Sequence, residues 1–179
     1  MSDSPSPVSF PRYVDARKVF SQKGFYGGEL SRDQLPRLAG LLADGAFYAN
    51  ASLRFELDKR GRKIIEGEVE ARLSVACQRC LKPLELRLAD DIRLALVIDE
   101  AGAERLDDDV EPWIESEFKL DPTLIVEEQL LLSMPLAAYH DKTDCSPEVV
   151  GAKEALDFQG HKDRKTNPFA ALEALKTPK

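Results

Sequence analysis

What this chain of 179 residues has little of narrows its chemistry at once. It carries two histidines, His140 and His161; no nucleophile–base arrangement appears, and His140 alone does not make an acid–base pair. His161 is assigned no role. No glycine-rich phosphate cradle occurs, so no catalytic set stands out and the chain reads as a non-enzyme. Three cysteines in a chain this long do not make a disulfide framework. No apolar run approaches the ~20 residues of a membrane span. The Met1–Ser9 segment lacks the basic start and apolar core of a signal peptide. These absences point to the cytoplasm, without a membrane partner or a small-molecule substrate. A surplus of positive charge is missing too. The net charge of −7 argues against non-specific nucleic-acid binding but leaves local basic contacts open.

What is there centres on Cys77-Gln78-Arg79-Cys80-Leu81-Lys82-Pro83. Before it, Ile65, Gly67, Val69, Ala71, Leu73, Val75 and Cys77 share one side of a period-two pattern, with Glu66, Glu68, Glu70, Arg72 and Ser74 on the other. Beyond it, Leu84, Leu86 and Leu88 alternate with Glu85, Arg87 and Ala89. Two strands with one buried and one wet face meet at a short cysteine-bearing turn. Such a turn aims two thiolates at one tetrahedral ion. The same spacing serves thiol redox chemistry, but there the pair belongs at a helix start, where the helix N-terminus lowers the thiol pKa.

The rest of the chain supplies a meander of three or four long antiparallel strands, with helices on one face. Residues 1–9, rich in Ser and Pro, read as a disordered tail. Phe10–Phe25 reads as a short strand or irregular arm bearing Arg12, Arg17, Lys18 and Lys23. Ser31 and Gln34 form a capping box for a helix carrying Leu35, Leu38, Leu41 and Leu42 and ending at Gly45, with Pro36 shifting its start. A strand follows with Ala49, Ala51, Leu53, Phe55 and Leu57 on one face. The strand after Pro83 continues to Ile98, with a bend or bulge at Asp90-Asp91. Ile114, Ser116 and Phe118 suggest another strand. Asp121-Pro122 then opens an apolar helix stopped by Pro135. So few of its residues are polar that it reads as the core helix, with one of Glu127 and Glu128 buried against an arginine and the other exposed. The expected class is α+β: residues 10–150 as one domain, 151–166 as a flexible linker, and 167–179 as a C-terminal docking helix.

Several blocks together resemble the YceD family, the large ribosomal RNA subunit accumulation proteins of bacteria and plastids. They are Cys77-Gln-Arg-Cys80 with Lys82-Pro83, Glu127-Glu128 through Leu132 and Pro135, His140 with Cys145, and the terminal Asn167-Pro168-Phe169 run to Lys176. The resemblance implies a role in synthesis, processing or stability of 23S ribosomal RNA and no known catalytic residues. Expected partners are a large-subunit RNA precursor or assembly particle, and a ribosomal or RNA-processing protein.

Cys77, Cys80, His140 and Cys145 make a candidate C-x2-C…H-x4-C zinc set, and three thiolates with one imidazole suit structural zinc. The plainer alternative makes Cys77 the next core residue of its strand and Cys145 an incidental loop thiol. Lys59, Arg60, Arg62 and Lys63 crowd a projecting turn suited to neutralising phosphates, and Arg79 and Lys82 extend the candidate RNA contact, though no aromatic residues interleave. The bland reading of this charge run is a solvated turn. Nine acids between Asp99 and Glu117 against Arg105 alone read as a solubilising loop, or as a surface for a basic protein. In Asn167–Lys176, Asn167 caps a short helix whose Phe169, Leu172 and Leu175 share a face and need a docking surface. Two competitors stand beside the RNA-binding accessory factor: a protein-binding adaptor that recruits a processing factor without contacting RNA, and a thiol oxidoreductase using Cys77 and Cys80.

Overall fold

Three long strands dominate the computed structural model, which describes residues 9–141 and Cys145. They are β3 (Phe47–Leu57), β4 (Lys63–Ala76) and β5 (Pro83–Val97), paired antiparallel along nearly their whole length. Two short strands complete a five-stranded sheet of order β2-β3-β4-β5-β6. β2 (Phe25–Glu29) lies antiparallel beside β3, and β6 (Glu111–Ile114) runs parallel to β5. The class is therefore α+β on a mostly antiparallel sheet, as the period-two patterns require. The expected strand at Ile114–Phe118 divides in the structure. β6 ends at Ile114, and a separate β7 (Lys119–Leu120) pairs with β1 (Val14–Asp15) in a two-stranded ribbon.

Alternation puts Leu53, Phe55, Ile65, Leu73 and Ile92 on one face of the sheet, each less than 2% exposed. Helix α4 (Pro122–Ser133) covers that face with Ile125, Val126 and Leu130. Burying one such aliphatic or aromatic side chain contributes about 1.5–3 kcal/mol, so this layer is the main source of stability. The opposite face is wet except at one end, where Ile64, Ala95 and Val110 form a small buried cluster. On its wet part Ser52, Glu68 and Asp91 lie in register across the three strands, as do Arg54, Glu66 and Arg93. The helix is less uniformly buried than its composition predicts, since Leu132 is 72% exposed and Leu124 also faces water.

Four local expectations differ. The Phe10–Phe25 arm contains helix α1 (Ala16–Ser21), started by Asp15, whose carboxylate accepts from the Arg17 N–H at 2.9 Å. Alternation in so short a segment conceals a helix held by the burial of Ala16, Val19 and Phe20. The Ser31 capping box exists but opens only a 3-10 turn over Arg32–Gln34. Pro36 then restarts the chain as α2 (Pro36–Ala39), which stops at Gly40, well short of Gly45. No bulge interrupts β5 at Asp90-Asp91: Val69 faces Asp90 and Glu68 faces Asp91 in unbroken register. Asp90 occupies a core-side position because Ser133 Oγ and Gln129 Nε2 of α4 donate to its carboxylate at 2.6 and 2.9 Å. The acidic stretch holds helix α3 (Glu100–Ala103), capped by Asp99.

Candidate metal centre

β4 ends at Ala76 and β5 begins at Pro83, so the six residues between them form the turn at one end of the long hairpin. The turn is tight. Cys77 N–H donates to the Lys82 carbonyl and Leu81 N–H to the Cys77 carbonyl, both at 2.9 Å. Leu81 takes a left-handed φ of 59° to reverse the chain. This geometry turns Cys77 and Cys80 inward, leaving both less than 2% exposed. The segment after α4 lies against the same turn. Gln78 N–H donates to the Ala138 carbonyl at 2.9 Å, and Gln78 Nε2 to the Leu136 carbonyl at 3.3 Å. These bonds deliver His140 and Cys145 to the cysteine pair.

The sulfurs of Cys77, Cys80 and Cys145 and the nearest ring nitrogen of His140 all lie within 4.8 Å of one another. Cys77 Sγ is 3.9 Å from Cys145 Sγ, and Cys80 Sγ is 3.3 Å from His140 Nδ1. A tetrahedral zinc site with Zn–S near 2.3 Å and Zn–N near 2.0 Å has S···S edges of about 3.8 Å and S···N edges of about 3.5 Å. The spacing fits. The imidazole is also oriented for it. Its Nε2 lies 3.0 Å from the Pro83 carbonyl, which only accepts, so Nε2 carries a proton and Nδ1 is the ring nitrogen presented to the sulfurs.

Electrostatics favour thiolate at this point. Burial raises the Cys77 pKa, yet backbone N–H groups of Cys80, His140 and Arg79, with the Cys80 side chain, outweigh it and bring Cys77 down to about 5. Bonds to the Cys77 and Cys80 sulfurs raise His140 above its ordinary value. Burial and the two neighbouring sulfurs raise Cys145. An arrangement in which Cys77 ionises readily while burial and the neighbouring sulfurs hold Cys145 back suits a bound cation, which offsets that repulsion. The cysteine pair lies on a strand–turn–strand connection and not at a helix start, so the helix effect behind redox C-x-x-C motifs does not operate here.

The candidate RNA contacts fall into two groups. At the β3–β4 turn, Arg60 is ion-paired with Asp107, and Arg62 with Asp58 at 2.6 Å, Asp107 at 3.2 Å and Asp109 at 3.7 Å. Lys63 sits 5.9 Å from the Phe20 ring, and Lys59 is exposed. The acidic stretch thus folds back on the basic tip, a pairing across about 45 residues that neither segment shows by itself. Arg79 and Lys82 are exposed on the cysteine turn, and Arg79 lies over Tyr139 at 5.3 Å. Sequence reasoning passed over Tyr139; its place one residue before His140 was the available signal. Phe169, Leu172 and Leu175 lie outside the described residues. So does the division into a domain, a linker at 151–166 and a C-terminal helix beyond it. No helix among the described residues is long and apolar enough to cross a membrane.

Residues 65–176 match the profile of a family described as large ribosomal RNA subunit accumulation protein YceD. A relative of that same description from Haemophilus influenzae is 29% identical over 171 residues, covering 94% of this chain and 97% of its own. No solved structure matches the chain significantly.

Proposed function

The chain belongs to the YceD family, and from that premise we propose that it acts in accumulation of the large-subunit ribosomal RNA by binding precursor RNA or an early assembly particle. The observation that carries this reading is at one end of the β4–β5 hairpin. There Cys77, Cys80, His140 and Cys145 gather at a turn on which the cations Arg79 and Lys82 are exposed. In this reading Cys77, Cys80, His140 and Cys145 hold one structural zinc ion. The ion's part is to clamp the segment after α4 onto the turn between β4 and β5. The basic tip Lys59–Lys63 is the second contact, reached when phosphates replace Asp107 and Asp109 as partners of Arg60 and Arg62. Phe169, Leu172 and Leu175 are the proposed contact with a protein partner.

Crosslinking in cells with sequencing of the attached RNA tests the function: reads gathered on one region of the large-subunit precursor support it, and an absence of ribosomal reads removes it. Elemental analysis tests the ion. About one zinc per chain is expected, with Cys80→Ser lowering both metal content and melting temperature. Metal-free protein of unchanged stability contradicts the assignment. The adaptor reading draws on a different observation, the open sheet face where Glu56, Glu66, Glu68, Glu70, Glu85 and Asp91 outnumber Arg54, Arg72, Arg87 and Arg93. A steep fall of particle affinity with salt favours RNA contact, because each phosphate contact adds to the slope.

A further inference from the structure

The β1–β7 ribbon brings together residues about 100 positions apart. Val14 pairs with Leu120 and Asp15 with Lys119, and both Val14 and Leu120 point into the core. Tyr13, next to Val14, therefore points out and is 42% exposed, and Phe118, in the bend just before β7, is 49% exposed. Each ring carries cations: Lys119 Nζ lies 3.7 Å from the Tyr13 centroid, with the Arg12 guanidinium at 5.4 Å, and the Arg17 guanidinium lies 4.3 Å from the Phe118 centroid. The rings border a groove of about 350 Å³ lined by Tyr13, Val14, Asp15, Glu117, Phe118 and Lys119. Of the two acids there, Asp15 is committed to Arg17, accepting from its backbone N–H and its guanidinium.

We infer that this ribbon is a binding site for single-stranded RNA, with Tyr13 and Phe118 stacking bases, Arg12 and Lys119 contacting phosphates, and Arg17, bound to Asp15, supporting the Phe118 ring. The assignment rests on the reading above that the protein touches RNA, but uses none of the same residues. Large exposed aromatic rings among cations are the combination that single-strand binding requires: the ring gives each base a face, and the cation serves both ring and backbone. A surface meant only for solubility needs no exposed rings, and one meant for apolar partners gains nothing from three cations around them. In a chain of net charge −7 this concentration of positive charge has to be held locally.

The full-length protein is titrated with a fluorescein-labelled, pyrimidine-rich single-stranded RNA oligonucleotide, followed by anisotropy at several salt concentrations. Tyr13→Ala and Phe118→Ala are each expected to weaken binding about 5- to 100-fold, with the salt slope unchanged. Tyr13→Phe and Phe118→Tyr should retain affinity, because each keeps a ring. Arg12→Ala and Lys119→Ala should each reduce the slope by about one. Parent affinity in the two ring-deleted variants, with a native melting temperature, overturns the inference. So does an equal loss against a poly-aspartate peptide, which marks a general anion surface. If the parent still crosslinks to ribosomal precursor while Tyr13→Ala/Phe118→Ala does so equally, only the ribbon assignment fails. A parent that binds neither RNA removes both.

Discussion

Glu127 and Glu128 are adjacent, both charged, both directed at Arg37, and should differ sharply in what they contribute. Glu127 is 3% exposed. One of its oxygens accepts from the backbone N–H of Arg37 at 2.7 Å and of Leu38 at 3.1 Å. Those are the first available donors of α2, since Pro36 at its first position has none. A carboxylate on α4 therefore caps α2 from across the core, and the Leu38 side chain that it holds in place is fully buried. Hydrogen bonds to a charged acceptor contribute about 1.5–3 kcal/mol each, and a buried donor left without a partner costs a similar amount. Because the two bonds share one oxygen they will not add fully. Glu127→Ala should cost about 3 kcal/mol, or roughly 6–12 °C in melting temperature for a chain of this size. Glu127→Gln keeps an acceptor oxygen but not the charge and should cost less, about 1 kcal/mol. Glu128 pairs with the Arg37 guanidinium at 2.7 Å at the surface, so Glu128→Ala should stay within about 0.5 kcal/mol. Urea denaturation followed by circular dichroism measures all three. A Glu127→Ala midpoint equal to that of Glu128→Ala would refute the capping argument, because it would mean that burial costs the carboxylate as much as its bonds return.

Gly67→Ala should destabilise by about 1–3 kcal/mol, because a Cβ there would collide with the Ser52 carbonyl oxygen and lie 2.9 Å from Leu53 Cδ2; a melting temperature like the parent's contradicts it. Asp90 has its pKa held below the ordinary 3.8 by Ser133 first and Gln129 next, so its tie between β5 and α4 contributes above that value and is lost as pH falls through the lowered one. The stability gap between parent and Asp90→Asn should therefore be wider at about pH 7 than at about pH 3 in urea titrations, and a gap independent of pH argues against the tie. Hydrogen exchange on the free protein should be fast across Phe169–Leu175 and slow when the assembly particle is added, as expected of a short helix that needs a docking surface. Protection in the free protein would place that segment in the fold instead.

Strands were legible because alternation over 11 to 15 residues is a strong signal, and the faces it assigned to β3, β4 and β5 hold in register. Short elements were not. Helix α1 has 6 residues and α2 has 4, too few for a helical period to separate from noise; Asp15 caps α1 locally, while the start of α2 is capped by Glu127 from across the core. Asp90-Asp91 misled for a related reason. Two adjacent acids within an alternating strand look like an interruption until the helix that supplies donors to the inward one is in place.

The candidate site divides the same way. Each cysteine-bearing pair was readable from spacing, since a turn of fixed length sets which side chains converge. That the two pairs meet depends on Gln78 binding the chain after α4, a contact between segments about 60 residues apart that no local pattern announces. Charge shows the opposite failure. The basic tip and the acidic stretch each read as free surface, yet Arg60 and Arg62 are already partnered by Asp107 and Asp109. A polyanion binding the tip must displace carboxylates, whereas one binding Arg79 or the Tyr13–Phe118 ribbon need not separate the Asp107 and Asp109 pairs. The cost of displacement falls as salt screens the internal pairs, but so does the affinity for phosphate. Removing Asp107 and Asp109 by substitution separates the two effects. If the tip is a contact held in reserve, Asp107→Ala/Asp109→Ala should strengthen RNA binding at fixed salt and steepen its salt slope. Unchanged binding would confine the RNA surface to the cysteine turn and the ribbon.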